Sequence, residues 1–260
     1  MSEQTQPAVD DRVVEDRIAH QAAPAVGRGS AAVAHRSAAR PAQRPVARAA
    51  QRTADAPAGE YEQHGGFPKL TPAEVGPEFG EFVEAMRTLQ DLAVSADAPI
   101  EVYREARDKV GELVELLAPY RAAEGKSPAG RAVELPGRGS LLLLPWRTVS
   151  AGPDGIVMEG VFRRFHLGGN AAAHGGVLPL LFDDLFGMTV HYAGRPISRT
   201  AFLHVNYRKV TPLDTPLTAR ARVERIEGRK TFVSSELLDE EGTVLADCEG
   251  LMVQLLPWQP

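Results

Sequence analysis

The chain has 260 residues, of which 43% are hydrophobic and 24% charged, with a formal net charge of -5. That is ordinary globular usage with enough length for a real core, and it excludes a wholly disordered protein. The longest apolar stretches, such as 140–146 and 175–182, fall far short of the roughly 18 residues a membrane-spanning helix needs.

Charge and composition divide the chain. Residues 17–54 contain seven arginines and no Asp or Glu, whereas residues 1–16 hold five acids and one Arg, leaving residues 55–260 acidic. The Ala/Arg/Pro-rich stretch 1–60 has few large aliphatic side chains and cannot repay the entropy of ordering, so a disordered arm is expected there. Its acids, Asp10, Asp11, Glu15 and Asp16, argue against an organellar transit peptide. With no apolar secretory core, and with a single cysteine, Cys248, that rules out an internal disulfide or a cysteine-rich zinc site, the expected compartment is the cytoplasm.

Residues 61–125 form the second expected unit, a helical extension. Phe79, Phe82, Val83, Met86 and Leu89 fall on one helical stripe, and Val102, Tyr103, Ala106, Val110, Leu113, Val114 and Leu117 on another. A hairpin broken near Ala98 and Pro99 follows. Between Glu78 and Glu124 stand eleven acids against five Arg or Lys. Such a surface repels phosphate, so the expectation is packing or dimerisation, with no nucleic acid bound by the folded part.

From about residue 126 onward the pattern becomes strands. Residues 141–149 and 155–165 are strand candidates separated by the turn Ala151-Gly-Pro-Asp-Gly155. Residues 200–209, 217–224, 231–238 and 243–255 follow, with Leu217, Ala219, Ala221 and Val223 alternating against Thr218, Arg220, Arg222 and Glu224 as a half-buried sheet requires. Turns at Glu227-Gly228 and Glu240-Glu241-Gly242 join the last three into an antiparallel meander. A single convincing helix, 175–190, interrupts the strands. It is apolar almost all round, which calls for burial.

Strands, one buried helix, then four strands describe an α+β hotdog architecture, a curved antiparallel sheet wrapped around one long helix. The motif His174-Gly-Gly-Val-Leu-Pro-Leu-Leu-Phe-Asp183-Asp184-Leu-Phe-Gly187 resembles the HGG-plus-acid signature of hotdog acyl-CoA thioesterases, of the kind found in phenylacetate pathways. Thr200-Ala-Phe-Leu-His-Val-Asn-Tyr207 and Thr211-Pro-Leu213 resemble the strand and turn that follow it there. The likeness covers residues 130 to 255, and it implies hydrolysis of an acyl-CoA substrate to the free acid and CoA.

The residues carry a chemical argument of their own. Gly175 and Gly176 open the helix, and Pro179 must lie in its first turn, where the missing N–H costs nothing. Free N–H groups at the positive end of the helix suit an oxygen that becomes negative when a thioester carbonyl is attacked. A plain tight turn is the other reading. Asp183 and Asp184 interrupt an apolar run and diverge by about 100°. The resemblance selects Asp183 as nucleophile or general base, and Asp184 is expected to be a hydrogen-bonded or interface carboxylate. Gly175 and Asp183 lie eight residues apart, about 12 Å along the axis, too far to touch one carbonyl. Two antiparallel copies of the helix would unite them in a two-fold dimer, so a homodimer or dimer of dimers is expected.

His174 is a candidate base, though its place before the helix favours a role in holding the loop. Asn170 is a candidate for orienting the carbonyl or water. Related enzymes often carry Asn or Gln six residues before the HGG histidine, where this chain has Gly168. Arg208, Lys209, Arg229 and Lys230 match positions that are basic in related thioesterases and would meet the CoA phosphates. His166, His191 and His204 show no metal spacing, and no Walker loop or dinucleotide fingerprint is present, so neither metal nor cofactor is expected. Two alternatives stay open: a hotdog enoyl-thioester hydratase, whose usual Asp-His signature is not evident, and a non-catalytic acyl-CoA sensor.

Overall fold

The computed structural model describes residues 63–64, 67–68 and 71–256. The Arg-rich arm expected at residues 1–60 lies outside them. Two-residue strands β1 (Gln63–His64) and β2 (Phe67–Pro68) pair antiparallel ahead of two helices, α1 (Pro77–Ser95) and α2 (Ile100–Leu117).

Proline opens α1 at its first residue, where its fixed φ suits a helix start. The helix buries Val83 and, unexpectedly, Arg87. The Arg87 guanidinium donates to the carbonyl oxygens of Pro136 (2.9 Å) and Ser140 (3.0 Å), so it holds the following loop by its backbone. Helix α2 is amphipathic but buries none of its residues, leaving Val102, Val110, Val114 and Leu117 exposed. Its expected apolar stripe is real, and in one chain nothing among the described residues covers it.

Residues 141–149, expected as a strand, divide. Strand β3 (Arg147–Gly152) starts only after Trp146. Residues 141–146 are bends held by long-range backbone contacts, including Gly137 N–H to the Trp146 carbonyl at 2.8 Å. Strand β4 (Gly155–Gly160) is likewise shorter than expected, because residues 164–166 turn into a 3-10 helix. A small hairpin, β5 (Leu167–Gly169) with β6 (Ala172–Ala173), then leads to the central helix α3 (Val177–Tyr192). Four strands complete the chain: β7 (Ser198–Tyr207), β8 (Leu217–Glu227), β9 (Lys230–Leu238) and β10 (Val244–Gln254).

The main sheet is antiparallel with order β3-β4-β8-β9-β10-β7. Its concave face and α3 enclose the core, in which Phe162, Phe182, Leu185, Phe186, Ala219 and Leu237 are fully buried. Each such Leu or Phe contributes about 1.5 to 3 kcal/mol by leaving water. Helix and sheet approach closely at Gly250, where a Cβ would meet the Phe186 ring at 2.5 Å. The order of elements and the wrapped helix are those of a hotdog fold. One detail differs from the sequence expectation: α3 is not covered all round. Asp183, Gly187 and His191, spaced four residues apart, form an exposed stripe along it.

Candidate active site

The two adjacent aspartates of α3 have different surroundings. Asp184 is bound by Arg138, whose terminal nitrogens donate to both carboxylate oxygens at 2.6 and 3.2 Å, with both side chains about four-fifths buried. Arg138 is a non-glycine residue at φ 51°, anchored also to the Gly130 carbonyl. Asp183 lies on the exposed stripe and has no cationic partner among the described residues. Its Oδ1 accepts a hydrogen bond from Thr200 Oγ1 at 2.6 Å, across from β7. Asp184 is thus tied up in an ion pair, and Asp183 is the carboxylate left facing outward.

The turn before α3 is held from several sides. Tyr207 Oη donates to the Gly175 carbonyl at 2.8 Å, and Gly176 N–H donates to His174 Nδ1 at 3.0 Å. In a trans peptide the C=O and the following N–H point in opposite directions, so Tyr207 and His174 grip the same 175–176 unit from its two sides. The His174 carbonyl accepts from Val177 N–H at 3.0 Å. Pro179 is the third residue of the helix, within its first turn as expected. Gly175 N–H has no acceptor among the described residues. Gly176, expected to share in polarising a carbonyl, has its N–H occupied within the loop by the His174 ring, which accepts the hydrogen bond.

Gly168 explains the departure from the pattern expected six residues before His174. A Cβ there would lie 2.6 Å from His174 Cα and 3.0 Å from its nitrogen, so no side chain fits. Asn170 sits at the tip of the β5–β6 hairpin with φ 49°, followed by Ala171 at φ 57°. Two successive left-handed residues define the tight hairpin turn for which Asn is favoured. Its exposed side chain has no hydrogen bond among the described residues.

The four basic residues are not gathered. The Arg208 guanidinium donates to Asp247 at 2.5 and 3.3 Å, while Asn206 donates to the same carboxylate at 2.7 Å. The hydrogen bond from Arg208 holds the Asp247 carboxyl below its ordinary range. Arg208, expected to meet the CoA phosphates, is thus engaged by Asp247 within the subunit. Lys209 is exposed beside it. Arg229 donates to the Gln254 carbonyl at 3.2 Å, and Lys230 pairs in register with Val253. Because Tyr207 is opposite Ala246 on β10, the two basic pairs are separated by about seven residues of strand, roughly 23 Å. Within one subunit they cannot meet one phosphate.

Thr200, Tyr207 and Arg138 were not assigned roles from the sequence. Thr200 and Tyr207 carried a signal, because both lie in the strand that follows the motif. Arg138 carried none, since its pairing with Asp184 spans 46 residues through an irregular loop.

Residues 170–246 match the family model described as the thioesterase superfamily. Acyl-coenzyme A thioesterase THEM4 of Mus musculus is 30% identical over 115 residues, 44% of this chain and 46% of that protein. The Rattus norvegicus THEM4 is 33% identical over 88 residues, 34% and 37% of the two chains. The chain thus spans less than half the length of these curated relatives. A crystal structure described as a thioesterase superfamily protein matches with a TM-score of 0.59 and 22% identity, over 70% of this chain and 93% of that one, a likeness of fold. The region built from β3 to β10 and α3 has the hotdog fold, and residues 170–246 within it are similar to the thioesterase superfamily.

Proposed function

We propose that this protein hydrolyses acyl-CoA thioesters to the free carboxylic acid and CoA. The observation that carries the reading is Asp183, an outward-facing carboxylate without a counter-cation among the described residues, oriented by Thr200 on the exposed stripe of the central helix. Gly175 N–H polarises the thioester carbonyl, and Asp183 either attacks the carbonyl carbon or removes a proton from the attacking water. The sulfur leaves as CoA in both routes. His174 and Tyr207 hold the turn that presents the donor.

The site is completed by a second copy. Strand β7 ends the sheet with one side unpaired among the described residues, over ten residues, and such an edge invites another strand. Pairing two β7 edges around a two-fold axis would align two exposed α3 stripes antiparallel and bring Gly175 beside Asp183 of the partner subunit. A homodimer, or a dimer of dimers, is the resulting assembly. Lys209 and Lys230, with Arg229, are the cations proposed for the CoA phosphates, contributed from different subunits because one subunit keeps them apart. No described helix is long and apolar enough to cross a membrane. The single thiol, Cys248, is buried, and burial pushes its pKa up to about 12, which leaves it unreactive; a cytoplasmic location is proposed.

The test is turnover of a panel of acyl-CoAs by the wild-type chain and by Asp183→Asn. Release of free thiol by the first and its loss in the second is expected. Tight binding of acyl-CoA with no turnover by the wild type would favour a sensor instead.

A further inference from the structure

Helix α1 lies outside the sheet-and-helix unit, yet it is bonded to the segment that leads into the catalytic turn. Arg163 Nε donates to Asp91 Oδ2 at 2.7 Å, and its Nη1 to Glu84 Oε1 at 2.6 Å. Asp91 uses its other oxygen to accept Phe165 N–H at 2.9 Å. One carboxylate thus fixes both the side chain that begins the 164–166 turn and a backbone donor inside it. Within the turn, Arg163 N–H donates to His166 Nδ1 and His166 N–H to the Arg163 carbonyl, both at 2.9 Å. The His166 carbonyl then accepts His174 N–H at 2.7 Å. His174 in turn receives Gly176 N–H on its ring and Val177 N–H on its carbonyl, leaving Gly175 N–H as the donor of this turn with no acceptor among the described residues.

We propose that Asp91 is a positioning residue for the Gly175 oxyanion donor, acting through the 163–166 turn and the His166 carbonyl to His174 hydrogen bond. The inference rests on the reading of Gly175 as that donor. It gives α1 a task beyond burial: Asp91 and Arg163 are each about four-fifths buried, so their pairing is shielded from water and geometrically fixed, unlike a surface ion pair. Arg87, about one turn earlier on the same helix face, holds the neighbouring loop by two carbonyls and keeps α1 seated. A donor displaced by a fraction of an ångström loses its preferential bond to the transition state, so the loss falls on kcat and leaves substrate binding little changed.

Asp91→Ala and Glu84→Gln, in the full-length chain, separate positioning from docking. Both weaken the hold of α1 on Arg163, but only Asp91→Ala removes the acceptor for Phe165 N–H. Asp91→Ala is expected to lower kcat about tenfold with KM within about twofold, and to speed amide exchange at His174 about tenfold, while Glu84→Gln changes neither. If Asp91→Ala does not fold, Asp91→Asn keeps a neutral acceptor for Phe165 and is expected to show the same two changes in smaller degree. Wild-type kcat and His174 exchange in the folded Asp91 variant would overturn the proposal, as would equal effects from Glu84→Gln. The exchange measurement needs no turnover. An unreactive wild type, or unchanged kcat in Gly175→Pro, would therefore fault the assignment of the site, while His174 exchange still decides on the relay.

Discussion

Tyr207 donates its phenolic hydrogen to the Gly175 carbonyl at 2.8 Å, joining the last residue of the edge strand to the turn before the central helix. With His174 Nδ1 on the opposite side of the same peptide, the bond fixes the plane next to the proposed donor. Tyr207→Phe keeps the ring against Gly175 and removes one hydrogen bond worth about 1 kcal/mol. A fall in kcat of about fivefold at unchanged fold is expected, read from steady-state kinetics.

Asp183 and Asp184 are expected to fail in different ways. Asp183→Asn should reduce kcat about 100-fold or more with a wild-type melting temperature, since it removes a charge from an exposed site. Arg138→Met should spare the chemistry but leave the Asp184 charge without its counter-ion, costing about 3 kcal/mol, whereas the double change Arg138→Met with Asp184→Leu should recover most of that loss. Urea unfolding of the three variants checks the ranking. Equal urea midpoints in all of them would show the pair to be energetically idle.

The nucleophilic and general-base routes for Asp183 differ in where oxygen from water ends up. In a single turnover in oxygen-18 water, the nucleophilic route forms a mixed anhydride with Asp183; attack of water on its aspartyl carbon leaves the product acid unlabelled and labels Asp183, whereas attack on its acyl carbon labels the acid as the general-base route does. Label found by mass spectrometry on the peptide containing Asp183 therefore establishes the nucleophilic route. Where the label goes to the acid, trapping with hydroxylamine decides: an Asp183 hydroxamate marks the anhydride, and its absence the general-base route.

Mixing Asp183→Asn with Gly175→Pro subunits tests the shared site. A Cβ at 175 meets nothing closer than the Tyr207 ring at 3.6 Å, so the turn has room for a side chain and the chief loss is the N–H. Each homodimer should be inactive, and heterodimers should regain one working site. Verified heterodimers without activity would contradict the cross-subunit arrangement.

Burial pushes the His166 imidazole below its ordinary pKa. The unfolded chain therefore binds a proton that the folded chain resists, and stability is full above about pH 6.5 and declines as pH falls below it. Besides this burial, with the Arg163 and Arg87 charges nearby, Nδ1 accepts Arg163 N–H, a bond that protonation of that nitrogen would break. His166→Asn, whose amide oxygen serves as acceptor without titrating, should flatten the fall in urea midpoint between pH 7 and 5.

Strands β8 to β10 were legible because alternation of small apolar and charged residues is a direct record of a sheet with one wet face. The run Leu141–Leu144 was not, since a short apolar stretch reads the same as a strand or a packed loop. Its conformation is imposed by distant groups, among them the Arg87 guanidinium on the Ser140 carbonyl. The HGG turn and Asp183 were visible as a motif. That Gly176 has its donor occupied depends on how the His174 ring is turned, and that Arg208 is neutralised depends on Asp247, a residue 39 positions away. Neither relationship leaves a mark on local spacing.

Edge strand β7 supports Asp183 through Thr200 and Gly175 through Tyr207, and its unpaired side is the one proposed to meet a second copy. Sliding two such edges by two residues would preserve the facing of every side chain and nearly all the main-chain bonds, yet shift Gly175 relative to Asp183 of the partner subunit by about 7 Å. In the proposed dimer, tight association and chemical competence are therefore separable properties. A change on the α3 stripe around Gly187 would then leave that dimer intact and silence it by alignment alone.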